Sequence, residues 1–204
     1  MFAMYKDIGC DAKIANNITL CEYAARHIHE IKALILEGHI MLATSSALIN
    51  LTDCKHTNIT IAEINEEYAN AIQRILPAGI KLRNSNVAEL VIDEHSYNTA
   101  YFDFMATLSG SVSTNIRPNM IIKDFLVNST ESTLILAVTL SLRTRAYRRK
   151  GRGSIGVINK YNNAITRAIY DAGYIIKESE LPKKYRRDTG SQTMGFLIYA
   201  LRRV

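Results

Sequence analysis

From Leu134 to Leu142 an apolar residue falls at every second position. Leu134, Leu136, Val138, Leu140 and Leu142 share one side of an extended chain. Ile135, Ala137, Thr139, Ser141, Arg143 and Arg145 share the other, which grows more polar toward its end. A period of two belongs to a β-strand, and a strand exposes backbone groups that a sheet must pair. The segment 132–147 therefore predicts a long strand with a core face. Segments 87–93, 99–107 and 119–127 read as further strands, and 194–202 as a closing one. Asn128-Ser129-Thr130-Glu131 has the composition of a hairpin turn, so the strands are expected to run antiparallel, as a meander of about four to five.

Helical spacing frames this meander. Thr19-Leu20-Cys21-Glu22 spells a capping box with Ile18 and Tyr23 across it, and Leu20, Ala24, Ile28, Ile31 and Ile35 follow until Gly38. Thr60-Ile61-Ala62-Glu63 repeats the device, and Ile61, Ile64, Tyr68, Ile72 and Ile75 line one face before Pro77 and Gly79. Residues 39–51 are apolar and fit strand or helix equally. Ile158, Tyr161, Ile165 and Ile169 predict a helix over 155–172, closed by Gly173. The expected architecture is one two-layer α+β domain over 1–204: residues 1–80 mainly helical, and 85–204 an antiparallel sheet with one C-terminal helix. The segment 109–119, with Gly110 and Pro118, reads as a loop or arm.

Charge is divided unevenly. The first hundred residues hold eight Lys/Arg against twelve Asp/Glu, and the rest hold seventeen against seven. Basic residues crowd at Arg143, Arg145, Arg148, Arg149, Lys150, Arg152, Lys183, Lys184, Arg186 and Arg187. Tyr147, Tyr161, Tyr170, Tyr174 and Tyr185 are interleaved with them. Such a run suits an acidic protein partner or the phosphates of DNA, with tyrosines to stack on bases. No stretch approaches the ~20 apolar residues of a membrane helix. Cys10, Cys21 and Cys54 are odd in number and lack C-x-x-C spacing, which favours reduced thiols.

The motifs of chemistry are sparse. Gly151-Arg152-Gly153-Ser154-Ile155-Gly156 spells G-x-G-x-x-G between a strand and a helix, with Asp171 or Glu178 as candidate ribose ligands. Antiparallel strands before it and a basic run leading into it favour a flexible basic turn. His27 and His29 stand two apart on a predicted helix and point in different directions. His39, Cys54 and His56 lack the spacing of a metal site. Asp93-Glu94-His95-Ser96 falls where two strands would be joined, as a solvated turn. Glu66 and Glu67 read as a solvated helix face. No catalytic, cofactor or metal residue is expected.

The order of elements brings a family to mind. A long amphipathic strand, a glycine-containing turn and the helix after it lead to a polar segment with Tyr185-Arg186-Arg187-Asp188 and a closing strand. Over 85–204 this resembles the tail-terminator and tail-completion (head–tail joining) proteins of tailed phages. The resemblance implies a non-enzymatic virion protein, assembled in the host cytoplasm as a homo-oligomeric ring, commonly a hexamer. Its partners would be copies of itself and neighbouring tail or neck proteins. A nucleic-acid-binding protein using 143–187 is the alternative reading.

Overall fold

The computed structural model describes residues 11–37, 42–104, 106–110, 117–142, 154–186 and 193–204. Helices and strands alternate along them: α1 (Asp11–His27), β1 (Ala33–Leu36), α2 (Ala43–Leu51), β2 (Ile59–Ala62), α3 (Glu66–Ile75), β3 (Lys81–Arg83), α4 (Val87–Asp93), β4 (Thr99–Asp103) and α5 (Pro118–Asn128). Then come β5 (Thr133–Ser141), α6 (Ser154–Asp171), β6 (Tyr174–Ser179), β7 (Lys183–Arg186) and β8 (Thr193–Arg203). All the strands join one sheet in the order β3-β2-β1-β4-β5-β8-β6, with β7 also on β8. From β3 to β5 every pairing is parallel, while β8 runs antiparallel to β5, β6 and β7.

This corrects the expected antiparallel meander in two layers. Two segments read as strands, 87–93 and 119–127, are the helices α4 and α5. A helix between two strands carries the chain back to its starting edge, and the strands then pair in parallel. The two capping boxes also misled. Thr19 lies deep inside α1, which ends at His27, so Ile35 belongs to β1. Thr60 to Ala62 lie in β2, and the true cap of α3 is Asn65, whose side chain accepts the Tyr68 N–H at 3.0 Å.

The core has two halves, one on each face of the sheet. Ala33, Ile35, Ile59, Ile61, Tyr101, Ile135, Ala137 and Ile198 pack beneath residues of α1, α2 and α3. Leu34, Ala100, Phe102, Leu134, Leu136, Val138 and Leu197 pack beneath α4, α5 and α6. Right-handed crossovers lay helices on one face as the chain steps from β1 to β3, and on the other once it steps back to β4. Hence β5 is buried on both sides, Ile135, Ala137 and Thr139 included. The chain reverses direction across the sheet between β1 and β4. In open α/β sheets a ligand crevice lies beyond the C-terminal ends of the strands at such a reversal.

Candidate functional site at the strand reversal

Four carboxylate or amide clusters border that edge. At the tip of β1, Glu37 is buried, and its carboxylate accepts the N–H groups of Thr44 at 3.1 Å and Ser45 at 2.9 Å, along with the Ser45 hydroxyl at 3.2 Å. Those amides are orphan donors of the first turn of α2. Burial pushes the Glu37 carboxyl above its ordinary range, and the Ser45 amide, Lys13 and the Thr44 amide oppose the rise.

At the tip of β2, Glu63 is half-buried and accepts the Asn65 N–H at 2.7 Å. Its own N–H donates to the Arg83 carbonyl at 3.1 Å, and its carbonyl takes the Asn84 side chain at 2.8 Å. The tips of β2 and β3 are thereby stitched together. Beyond β3, the Ser85 hydroxyl is shielded from solvent and has no hydrogen-bond partner among the described residues. Ser85 borders a recess of about 500 Å³ that Arg83, Glu89, Leu90, Asp93 and Glu94 also line.

At the tip of β4, Asp103 is paired with Lys13 of α1 at 3.1 Å. One turn further along α1, Asn17 accepts the Thr44 hydroxyl at 3.3 Å. The first half of α1 thus spans from β4 to the start of α2. Asn16 and Asn17 are buried there, and the Nδ2 of each lacks a partner among the described residues.

Asp93 and Glu94 aside, which line the recess beside Ser85, the residues singled out from sequence are elsewhere. Lys183 and Lys184 lie on β7, where Lys183 pairs with Glu180 and donates to the Thr19 hydroxyl at 3.4 Å. Arg143, Arg145, Arg148, Arg149, Lys150, Arg152 and Arg187 lie outside the described residues, as does the side chain of Arg186. Gly151 and Gly153 also lie outside them, and Gly156 is inside α6. The glycine signature therefore follows β5 rather than β1, the strand that borders the crevice. His95 meets the Asn128 carbonyl at 2.7 Å at the opposite edge, where β4 and β5 begin. His27 bonds Glu178 at 2.8 Å. Among the described residues no group of three His, Cys, Asp or Glu could hold a metal ion. The sequence places Glu63 in a helix cap and gives Glu37 no role, because either acid acquires its meaning only once the strand before it is known.

The sequence matches no protein-family model and no curated protein. The fold does have counterparts. A protein assigned as an S-adenosylmethionine dependent methyltransferase from Listeria monocytogenes superposes with a TM-score of 0.58 at 12% identity, over 94% of this chain and 99% of that one. N-methyltransferase NodS from Bradyrhizobium japonicum gives 0.57 at 9% identity, over 93% and 97%. The [4+2]-cyclase SpnF gives 0.54 at 15% identity, over 92% and 81%. The chain has the Rossmann-like fold of these enzymes. That finding overturns the resemblance to phage tail-terminator proteins, which rested on an antiparallel element order. With it falls the non-enzymatic ring subunit, and the alternative drawn from the basic segment 143–187, a nucleic-acid-binding protein, is not favoured.

Proposed function

We propose that the chain is an S-adenosylmethionine-dependent methyltransferase that binds its cofactor across the tips of β1 to β4. The carrying observation is the placement of Glu37 and Glu63. In a dinucleotide fold the first helix after β1 offers free N–H groups to a pyrophosphate. Here Glu37 occupies those groups, so a diphosphate would meet a carboxylate. A nucleoside cofactor with positive charge and no phosphate suits the same edge. Glu63 stands at the tip of β2, where an acidic side chain takes ribose hydroxyls in sheets of this type. The Ser85 hydroxyl beside the recess, unpartnered among the described residues, provides a polar contact for a purine edge.

When bound, S-adenosylmethionine supplies an activated methyl group on a sulfonium centre. The chain's part is to hold the nucleoside, align the acceptor and keep water out, because in-line displacement is governed by orientation. Asp103, fixed by Lys13, adds a carboxylate to the same edge at the tip of β4.

Calorimetry with S-adenosylhomocysteine and with NAD tests this reading. Micromolar binding of the first, none of the second, and a roughly ten- to hundredfold loss in Glu63→Ala are expected, the size of a hydrogen bond to a charged group. A chain that binds NAD and ignores the adenosyl ligand would overturn it. The fold also serves a cyclase, so methyl transfer to an acceptor panel is measured separately. Binding without transfer would retain the cofactor and withdraw the reaction.

A further inference from the structure

We propose that Asn16 and Asn17 of α1 form the carboxylate-binding pair of an α-amino-acid subsite at the β1/β4 crevice, with Glu37 and Asp103 on the side of the ammonium. The inference rests on the cofactor reading above and assigns its amino-acid end to residues of this chain.

Both asparagines are almost wholly buried, at 2% and 0% exposure, yet neither side-chain Nδ2 has a hydrogen-bond partner among the described residues. Burying an amide donor unpaired costs stability, and a folded chain rarely tolerates two side by side without a use. Their position is fixed from two directions. Lys13, Asn16 and Asn17 share one side of α1, three and four residues apart. Lys13 holds Asp103 at 3.1 Å, and the Asn17 carbonyl oxygen takes the Thr44 hydroxyl at 3.3 Å. The Asn17 amide is therefore held at the first turn of α2, whose Thr44 and Ser45 N–H groups the Glu37 carboxylate accepts.

The cluster combines donors that lack an acceptor with two carboxylates, Glu37 and Asp103, against the one ammonium of Lys13. A simple anion would be held by the amides and repelled by the carboxylates. A simple cation would leave the amides unpaired. A zwitterionic α-amino acid meets both demands, its carboxylate accepting from the amides and its ammonium facing the acids.

The test uses the full chain and two ligands: S-adenosylhomocysteine, and 5′-methylthioadenosine, which keeps the nucleoside and lacks the amino-acid end. Asn16→Leu is expected to leave the melting temperature of the free protein unchanged or raised, since it removes an unpaired donor. It should weaken S-adenosylhomocysteine roughly tenfold or more and leave methylthioadenosine unaffected. Asn17→Asp keeps the acceptor for Thr44, replaces the donor by a charge, and should weaken S-adenosylhomocysteine further with the same selectivity. The inference is overturned if both variants bind S-adenosylhomocysteine as wild type does, or lose the two ligands equally. It is overturned too if wild type gains nothing from the amino-acid end, a result that leaves the methyltransferase reading standing. Wild type binding neither ligand would remove both.

Discussion

Ser45 donates its backbone N–H to a carboxylate oxygen of Glu37 at 2.9 Å, so the tip of β1 caps the helix that follows it. The pairing closes the first turn of α2 to outside anions and places a buried acid at the strand reversal. A group so dependent on burial should report itself in the pH dependence of stability.

Glu37 titrates higher in the folded chain than its ordinary value of 4.5, burial being the cause. Between that value and the folded one, the folded chain holds a proton that the unfolded chain has released. The contribution of Glu37 is thus most favourable below 4.5, declines as pH rises through the folded value, and is constant above it. Glu37→Gln lacks this limb. Melting temperatures of the two proteins across the acid to neutral range should differ by an amount that varies with pH, and a difference flat in pH would contradict the assignment.

Glu178 has the opposite sign. Hydrogen bonds from His27 and then Arg26 hold its carboxyl below 4.5. Its stabilisation is complete above the unfolded value and is lost as pH falls through the folded one. The pair is at the surface, so the effect is small and screened by salt. Glu178→Gln should lower stability slightly at neutral pH in low salt, merge with wild type in strong acid, and lose most of the difference at about 1 M salt.

Leu136 is fully buried in the middle of β5, whereas Leu181 is 88% exposed between β6 and β7. Leu136→Ala should cost about 2–5 kcal/mol in denaturant unfolding, and Leu181→Ala about 0.5 kcal/mol or less. Similar losses at the two sites would mean that β5 is not the centre of the sheet.

Gly195 lets β8 lie close against α6. A Cβ there would stand 2.7 Å from the Ile158 Cδ1 and 3.0 Å from the Leu142 Cδ2. Gly195→Ala should destabilise by about 1–3 kcal/mol, toward the lower figure because the Ile158 terminal methyl can rotate aside. Gly195→Ala/Ile158→Val should recover part of the loss. Full stability in the single variant would mean that the helix packs more loosely than described.

Local pattern by itself determined several elements. Ile158, Tyr161, Ile165 and Ile169 marked α6, Gly173 its end at a φ of 80°, and the alternation from Leu134 marked β5. Pro77 and Gly79 bounded α3, and the closing strand was found at β8. Each is fixed by neighbours within a turn or two, so the chain spells it directly. Pairing was decided only by tertiary structure. Thr60-Ile61-Ala62-Glu63 fits a helix cap as letters, yet burial of Ile59 to Ala62 between β1 and β3 makes it a strand. Helices α4 and α5 are seven and eleven residues long, too short for their period to outvote a strand reading. Whether they are helices sets the sheet parallel or antiparallel, and that choice alone moves the candidate site from the basic residues of 143–187 to the tips of β1 and β2. Parallel pairing joins residues far apart in sequence, Ala33 with both Ile59 and Thr99. No local propensity records it, and the crevice where Glu37, Asp103, Asn16 and Asn17 converge exists only after that pairing is made.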